Sequence, residues 1–127
     1  MAQLPAEIPI FPLPNVVLFP QTDLPLHIFE PRYREMVADA MAGDRLIGMV
    51  LLRGDWRRDY HGAPDVFPLG CVGRIESFDP QPDGRSNLVL RGVARFDMTG
   101  EVQGKAYRRA RGSWGAEDDD AAAPEVT

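Results

Sequence analysis

The sequence predicts a mainly β domain of the α+β class, a small curved pseudo-barrel of about six strands with one amphipathic helix. Three observations predict it. The 127 residues include twelve glycines and twelve prolines, too many for a helical bundle. Only one stretch carries a helical apolar period, whereas several short stretches alternate apolar and polar residues. Glycines recur inside these strands, which is typical of bulges and bends in a curved sheet.

The N-terminal part predicts extended chain broken by proline. Apolar residues at positions 8–11 and 16–19 are interrupted by Pro9, Pro12, Pro14 and Pro20. Because proline lacks the ladder donor, we expect two short extended pieces with a bend near Pro14. Residues 24–28 follow as a strand with two unlike faces.

Residues 31–42 predict the single helix. Its apolar positions fall at the spacing of one face, and they are Tyr33, Met36, Val37, Ala40 and Met41. Pro31 suits the first helical position, where its missing N–H costs nothing. Gly43 follows as the stop signal.

The rest of the chain predicts strands. Residues 45–52 form a nearly continuous apolar strand, and residues 66–78 and 86–96 form two more, joined by a turn at Asp83 and Gly84. Residues 97–114 predict a strand pair or one long bent strand, with Gly100 and Gly104 as candidate turns. We place the folded lobe at residues 8–114 and a disordered acidic tail at residues 116–127.

The charge distribution disfavours a general nucleic-acid binder. Of nineteen acidic side chains five lie in residues 117–125, so the rest of the chain balances its fourteen basic ones, and the net charge of −5 belongs to the tail. No apolar run is long enough for a membrane helix, and we expect no secretory signal because no basic segment precedes an apolar stretch at the N-terminus. A single cysteine, Cys71, excludes an internal disulfide, so we expect a cytoplasmic protein.

Two segments carry a family resemblance. Residues 11–37, FPLPNVVLFPQTDLPLHIFEPRYREMV, and residues 69–98, with LGCVGRIESF and DGRSNLVLRGVARFDM, resemble the N-terminal domain of the Lon ATP-dependent proteases. The resemblance implies a PUA-like pseudo-barrel that contacts substrate polypeptide and is not the catalytic part of the protease. It also gives structural roles to the motif positions, which are Pro12, Phe19, Pro20, Pro25, Ile28, Phe29, Glu30, Pro31, Arg32, Tyr33, Gly70, Gly73, Gly84, Gly92, Arg95 and Phe96.

The sequence also departs from that family. It has no GxxxxGK[ST] phosphate loop, and the helical portion that follows the barrel in the family is missing before the acidic tail. Its one lysine, Lys105, is the only candidate to activate a serine as in the Lon protease domain. A face that the missing portion covers in the family could therefore be exposed, and it could bind a second copy of the chain.

Residues 53–67, a loop that runs into the start of the strand at 66–78, predict the binding site. These residues offer contact area and charge, which protein-binding surfaces favour. The contact area comes from Trp56, Tyr60, His61 and Phe67, and the charge comes from Arg57 and Arg58. The alternative is a surface loop whose aromatic side chains fold back into the core. The expected partner is an unfolded or extended polypeptide, or a dedicated protein partner.

Two other functions stay open. Lys105, Arg108, Arg109 and Arg111 form a basic cluster near the C-terminus, which could bind RNA in the manner of PUA-like domains, pair with the acidic tail, or form a solvated strand face. A hydrolase using Lys105 is a third hypothesis. No catalytic constellation, metal site or cofactor motif is predicted, because the two histidines share no ligand spacing and Cys71 lies in an apolar strand, where a buried, inert thiol is expected.

Overall fold

In the computed structural model of the protein, residues 7–14, 17–54 and 65–114 are described, and they contain six strands and one helix. In chain order these are β1 (Glu7–Leu13), β2 (Asp23–Ile28), α1 (Pro31–Ala42), β3 (Leu46–Leu52), β4 (Val66–Pro80), β5 (Ser86–Val102) and β6 (Arg109–Trp114). The predicted mainly β fold with one helix is confirmed.

Five of the strands close into a ring. β1 pairs with β3 in parallel, while the β3–β4, β4–β5, β5–β6 and β6–β1 pairs are antiparallel. β2 lies outside this ring and pairs with the first half of β5. Register shifts interrupt the ladders, one of them between Val72 and Gly73 of β4, so the ring is curved and is not a clean barrel. The bulge expected from the strand glycines is therefore present.

Two apolar cores lie on opposite faces of the ring. A row of residues paired across neighbouring strands is called a rung here. One rung faces inward, and it contains the successive partners Ile10, Gly48, Val72 and Ala94 of β1, β3, β4 and β5. The inner core is completed from all five ring strands, and it contains Ile8, Ile10, Leu46, Val50, Val72, Ala94, Phe96 and Ala110. Because successive strand residues face opposite ways, the next rung faces outward, toward α1.

The helix covers part of that outer face. Its buried residues are Tyr33, Met36, Val37 and Ala40, as its apolar period predicts, and Met41 is partly buried. The ring of Tyr33 packs against Phe11 of β1 at a centroid distance of 4.3 Å. α1 begins at Pro31, as expected, but Gly43 has φ −123° and does not adopt the left-handed conformation that favours glycine. Instead Arg45 does so, with φ 63°, and its N–H donates to the Ala40 carbonyl.

Three local expectations are refined by the structure. Residues 17–19 form no strand, so the second predicted extended piece does not join the sheet. Residues 97–114 form a strand pair, with the turn at Gly104, whose φ is +118°. Gly100 lies within β5 at a register shift and not in a turn, because β5 continues to Val102. The turn at Gly84 is as predicted, with φ +94°.

Candidate functional site

An apolar groove of about 540 Å³ lies on the outer face of the ring, where α1 does not cover it. Its floor includes Met49 and Leu51 of β3 and Cys71 of β4. Phe19, Phe67 and Leu69 line it with side chains that are roughly half exposed or more. Large apolar side chains left exposed together in a concave surface are typical of binding sites.

The pairing register explains the floor. Phe11, Met49, Cys71 and Arg95 are successive partners across four strands, so their side chains share the outer face. Phe11 lies under the helix, against Tyr33, whereas Met49 and Cys71 continue beyond it into the groove. Arg95 ends this rung and is the only charged residue among the described residues that line the groove.

One wall of the groove is the segment that links β1 to β2. Leu18 is buried and packs toward Gly73, where an added Cβ would lie 2.9 Å from its Cδ2 atom. Thr22 closes a turn by donating its hydroxyl to the Phe19 carbonyl at 2.8 Å. Two backbone bonds join this turn to Gly92 of β5: the Gly92 N–H donates to Thr22, and the Gln21 N–H donates to the Gly92 carbonyl, each at 2.8 Å. The turn therefore holds the Phe19 side chain at the groove, where it is 61% exposed.

Only one of the predicted contact residues lies among the described residues. Phe67 lines the groove and is 46% exposed, so it does not fold back into the core. The guanidinium of Arg53 lies 5.6 Å from the centroid of the Phe67 ring, and the Arg53 N–H donates to the Asp65 carbonyl. Trp56, Arg57, Arg58, Tyr60 and His61 fall within residues 55–64, outside the described part of the chain, so their binding role stays a prediction.

Some of the family-motif positions are buried or shape the backbone, and others are exposed. Pro12, Ile28, Tyr33 and Phe96 are buried, and Pro31 starts the helix. Glu30 accepts a bond from Arg32 at 3.1 Å beside that helix start. A Cβ at Gly70 would meet the Met49 carbonyl, so this position needs glycine. Pro25 lies in β2, at the margin of the sheet.

Several motif positions with expected structural roles have exposed side chains, and their structural role stays a prediction. Phe19 and Pro20 line the groove, as does Arg95. Phe29 is 54% exposed but lies away from the groove and stacks on His27. The sequence does not predict Phe19 or Leu69 as contacts. Both are apolar residues beside proline or glycine, and alternation alone cannot assign the face of a side chain there.

Cys71 is buried in the groove floor, and its thiol donates to the Val72 carbonyl at 3.6 Å. Burial raises the pKa of its thiol to about 11, against an ordinary value of 9.0, and bonds involving the backbone of Val93 and Ala94 oppose this rise only in part. A thiol of this kind is a poor nucleophile at neutral pH. The expectation of a buried cysteine is confirmed.

The basic cluster near the C-terminus is engaged by carboxylates. Arg108 contacts both carboxylate oxygens of Glu101, at 3.0 and 2.6 Å. Arg109 and Arg111 each lie 3.5 Å from Glu7. Lys105 Nζ lies 3.6 Å from Asp39. Cations that already have acidic partners within the protein are less available for the phosphates of RNA.

The described residues hold neither a candidate metal site nor a helix that could span a membrane. Within residues 7–14, 17–54 and 65–114, no group of three or more histidine, cysteine or acidic side chains is arranged to hold a metal ion. The one helix found in those ranges is too short to cross a membrane.

The sequence has clear relatives. Residues 7–126 match the family described as the ATP-dependent protease La (LON) substrate-binding domain. Lon protease 2 of Myxococcus xanthus is 35% identical over 108 residues, and Lon protease of Anaeromyxobacter dehalogenans is 34% identical over 108 residues. Each alignment covers 85% of this chain but 13% of the relative, so the chain spans about an eighth of the length of these proteases.

Solved structures agree with the sequence matches. The crystal structure of a Lon N-terminal domain protein from Xanthomonas campestris is 31% identical and superposes with a TM-score of 0.66, covering 85% of this chain and 59% of that one. The N-terminal domain of a Mycobacterium avium complex Lon protease has the same fold at 14% identity, with a TM-score of 0.64 over 85% of this chain and 54% of that one. Together these matches show that the chain belongs to the Lon substrate-binding domain family.

Proposed function

We propose that this chain is a non-catalytic recognition module that holds extended apolar segments of polypeptides in the groove between residues 17–20 and β4. The observation that carries the proposal is the groove itself, whose described lining is apolar except for Arg95. The relatives' substrate-binding role supports it, since the family is named for that role.

The chemistry of the groove suits weak, sequence-tolerant binding. Burying one leucine- or phenylalanine-sized side chain contributes about 1.5–3 kcal/mol. A few such side chains must offset an association cost of about 4 kcal/mol or more. The expected dissociation constants are therefore about micromolar to millimolar, which would let a segment be captured and released.

The lobe at residues 8–114 is the proposed binding unit, with the tail at 116–127 outside it, and a cytoplasmic location is part of the same proposal. The partner is an unfolded or extended polypeptide, with a dedicated protein partner as the other form of this hypothesis. RNA binding and hydrolysis through Lys105 gain no support from the described contacts, because Lys105 and its neighbouring arginines contact Asp39, Glu101 and Glu7.

The test is fluorescence anisotropy of a labelled, permanently unfolded protein titrated with this chain in the absence of ATP. Saturable binding of the unfolded form and none of its folded counterpart is the expected result. A well-folded chain that binds neither form would contradict the proposal. Retention on single-stranded RNA that falls steeply with salt, and that is lost in Arg108→Ala/Arg109→Ala, would favour the RNA hypothesis instead.

A further inference from the structure

We propose that the groove selects apolar polypeptide segments that carry a carboxylate next to their apolar side chains, and that Arg95 binds this carboxylate. The inference rests on the proposed function and adds the substrate class to it. Its starting point is the outward rung, which puts the Arg95 side chain on the same face as Met49 and Cys71, at the end of the apolar floor.

The one charged side chain among the described lining residues is positive. It belongs to Arg95 and is 58% exposed. The Arg53 guanidinium does not line the groove but lies 5.6 Å from the ring centroid of Phe67, which does. No described acidic side chain lines the groove. A bound segment would therefore meet the Arg95 guanidinium, which is paired with Asp97 at the margin, beside an apolar surface.

The present partner of Arg95 leaves it available to a ligand. Its Nη2 atom lies 3.3 Å from Oδ1 of Asp97, a neighbour on the same strand that is itself 40% exposed. Exposed pairs of this kind contribute little, because both groups remain hydrated. A ligand carboxylate can compete with Asp97 when apolar contacts already hold the ligand in the groove. The second contact is then intramolecular and loses little further translational entropy.

The alternative occupants fit less well. A second copy of this chain would have to offer an apolar segment with an acidic neighbour to the same surface. A basic or neutral apolar segment would gain nothing from Arg95 and would meet unfavourable charge if basic. The complementarity therefore favours an acidic apolar polypeptide segment.

The test uses three dye-labelled peptides that share one apolar core and differ only in flanking residues, which are Glu, Gln or Lys. Anisotropy titrations are made with the full chain at low and high ionic strength. An exposed ion pair contributes about 0.2–1 kcal/mol, so the Glu peptide should bind up to about fivefold more tightly than the Gln peptide, with the Lys peptide weakest. High salt should reduce this preference.

Three variants assign the preference. Arg95→Gln should make the Glu and Gln peptides equal, and Arg95→Glu should reverse the order in favour of the Lys peptide. Asp97→Asn removes the competing carboxylate and should enlarge the preference for Glu. The matched control is Arg91→Gln: Arg91 lies on the same strand, pairs with Asp23 at 3.1 Å and does not line the groove, so the preference should persist.

The outcomes separate the two proposals. If the wild-type chain binds the Gln and Glu peptides equally well, the charge inference is overturned while the recognition function stands. If Arg95→Gln leaves the preference for the Glu peptide intact, Arg95 does not bind the carboxylate. If none of the three peptides binds, or if sedimentation shows a dimer that occupies the groove and is broken by Leu69→Ser, both proposals fail.

Discussion

The backbone of Gly92 in β5 approaches the carbonyl oxygen of Phe19 so closely that no side chain fits between them. This contact places the turn at residues 19–22 against the sheet and thereby positions the Phe19 ring at the groove. Gly92→Ala should push the turn away, with a cost of about 1–3 kcal/mol from overpacking and a loss of affinity for unfolded polypeptide. Urea unfolding and the anisotropy titration measure the two effects.

Gly100→Ala is the matched control for this change. Gly100 lies in the same strand, but an added Cβ there meets nothing within 4 Å. We expect its stability and polypeptide affinity to stay close to those of the wild type. Equal effects of the two glycine substitutions would show that the strand tolerates no alanine in general, and that the Phe19 contact is not the cause.

The hydroxyl of Tyr107 donates a 2.7 Å hydrogen bond to Oδ2 of Asp39, which joins the segment before β6 to α1. Tyr107→Phe should lower the free energy of unfolding by about 0.5–1 kcal/mol at neutral pH. Thermal unfolding followed by circular dichroism checks this. No measurable change at neutral pH would mean that the bond does not hold the helix to the ring.

The same bond predicts a pH dependence. The hydrogen bond from Tyr107, and then the charge of Lys105, hold the pKa of Asp39 below its ordinary value of 3.8. A lowered carboxyl pKa gives stability that is present above the ordinary value and is lost as the pH falls through the native one. The difference between wild type and Tyr107→Phe should therefore be constant near neutrality and shrink below about pH 4. A difference that grows on acidification would contradict this sign.

The titration of Tyr107 predicts a second pH range, at high pH, in which the stability of the fold changes. Burial, followed by the bond to Asp39, raises the pKa of Tyr107 to about 12 from an ordinary 10.0. The stability linked to the neutral phenol is complete below pH 10 and is lost as the pH rises toward 12. Absorbance titration of the phenolates should show a late-titrating tyrosine in the wild type whose signal is missing from Tyr107→Phe.

The inner core depends on Phe96. Phe96 is fully buried inside the ring, and both Gly48 and Gly112 lie close enough that a Cβ there would touch its ring. Phe96→Ala should cost about 3–5 kcal/mol, a large part of the stability of a domain of this size. Phe78→Ala, at a position that is 37% exposed on β4, should cost far less. Similar denaturation midpoints for the two variants would contradict the placement of the inner core.

Cys71 reports on the groove floor. With its pKa raised from 9.0 to about 11, the thiolate fraction at pH 8 should be about a hundredfold smaller than in the unfolded chain. Labelling by a thiol reagent should be slower by at least that factor in the native protein, and slower again with an apolar peptide bound. Native labelling at the unfolded rate would show that the floor is open to solvent.

The β architecture could be predicted from sequence because its signals are local. The apolar period of residues 31–42 and the Asp83–Gly84 turn each appear in the structure where the sequence placed them. The second extended piece, at residues 16–19, is predicted on apolar character alone. Residues 17–19 stay outside the sheet because their contacts, such as Leu18 with Gly73, are with side chains and backbone far along the chain.

The groove could be predicted only in part, for the same reason. The sequence predicts Phe67 as a contact because it ends the segment of aromatic residues at 53–67, and Phe67 does line the groove. Phe19 and Arg95 line the same groove although they are 76 positions apart in the sequence. Hydrogen bonds to Gly92 position the turn that carries Phe19, and pairing with Cys71 places Arg95. No local pattern contains that pairing, since it arises from register between strands.

The most direct test of the account is the affinity of the unfolded-protein probe for Phe19→Ser and Leu69→Ser compared with Phe29→Ser. Phe19 and Leu69 line the groove, while Phe29 is similarly exposed but lies away from it, so all three changes remove exposed apolar surface and should leave the fold intact. We predict at least about tenfold weaker binding for the two groove variants, as expected when burial worth about 1.5–3 kcal/mol is lost, and wild-type binding for Phe29→Ser. Wild-type affinity in both groove variants, with circular dichroism confirming their fold, would contradict the assignment of the groove as the polypeptide-binding site.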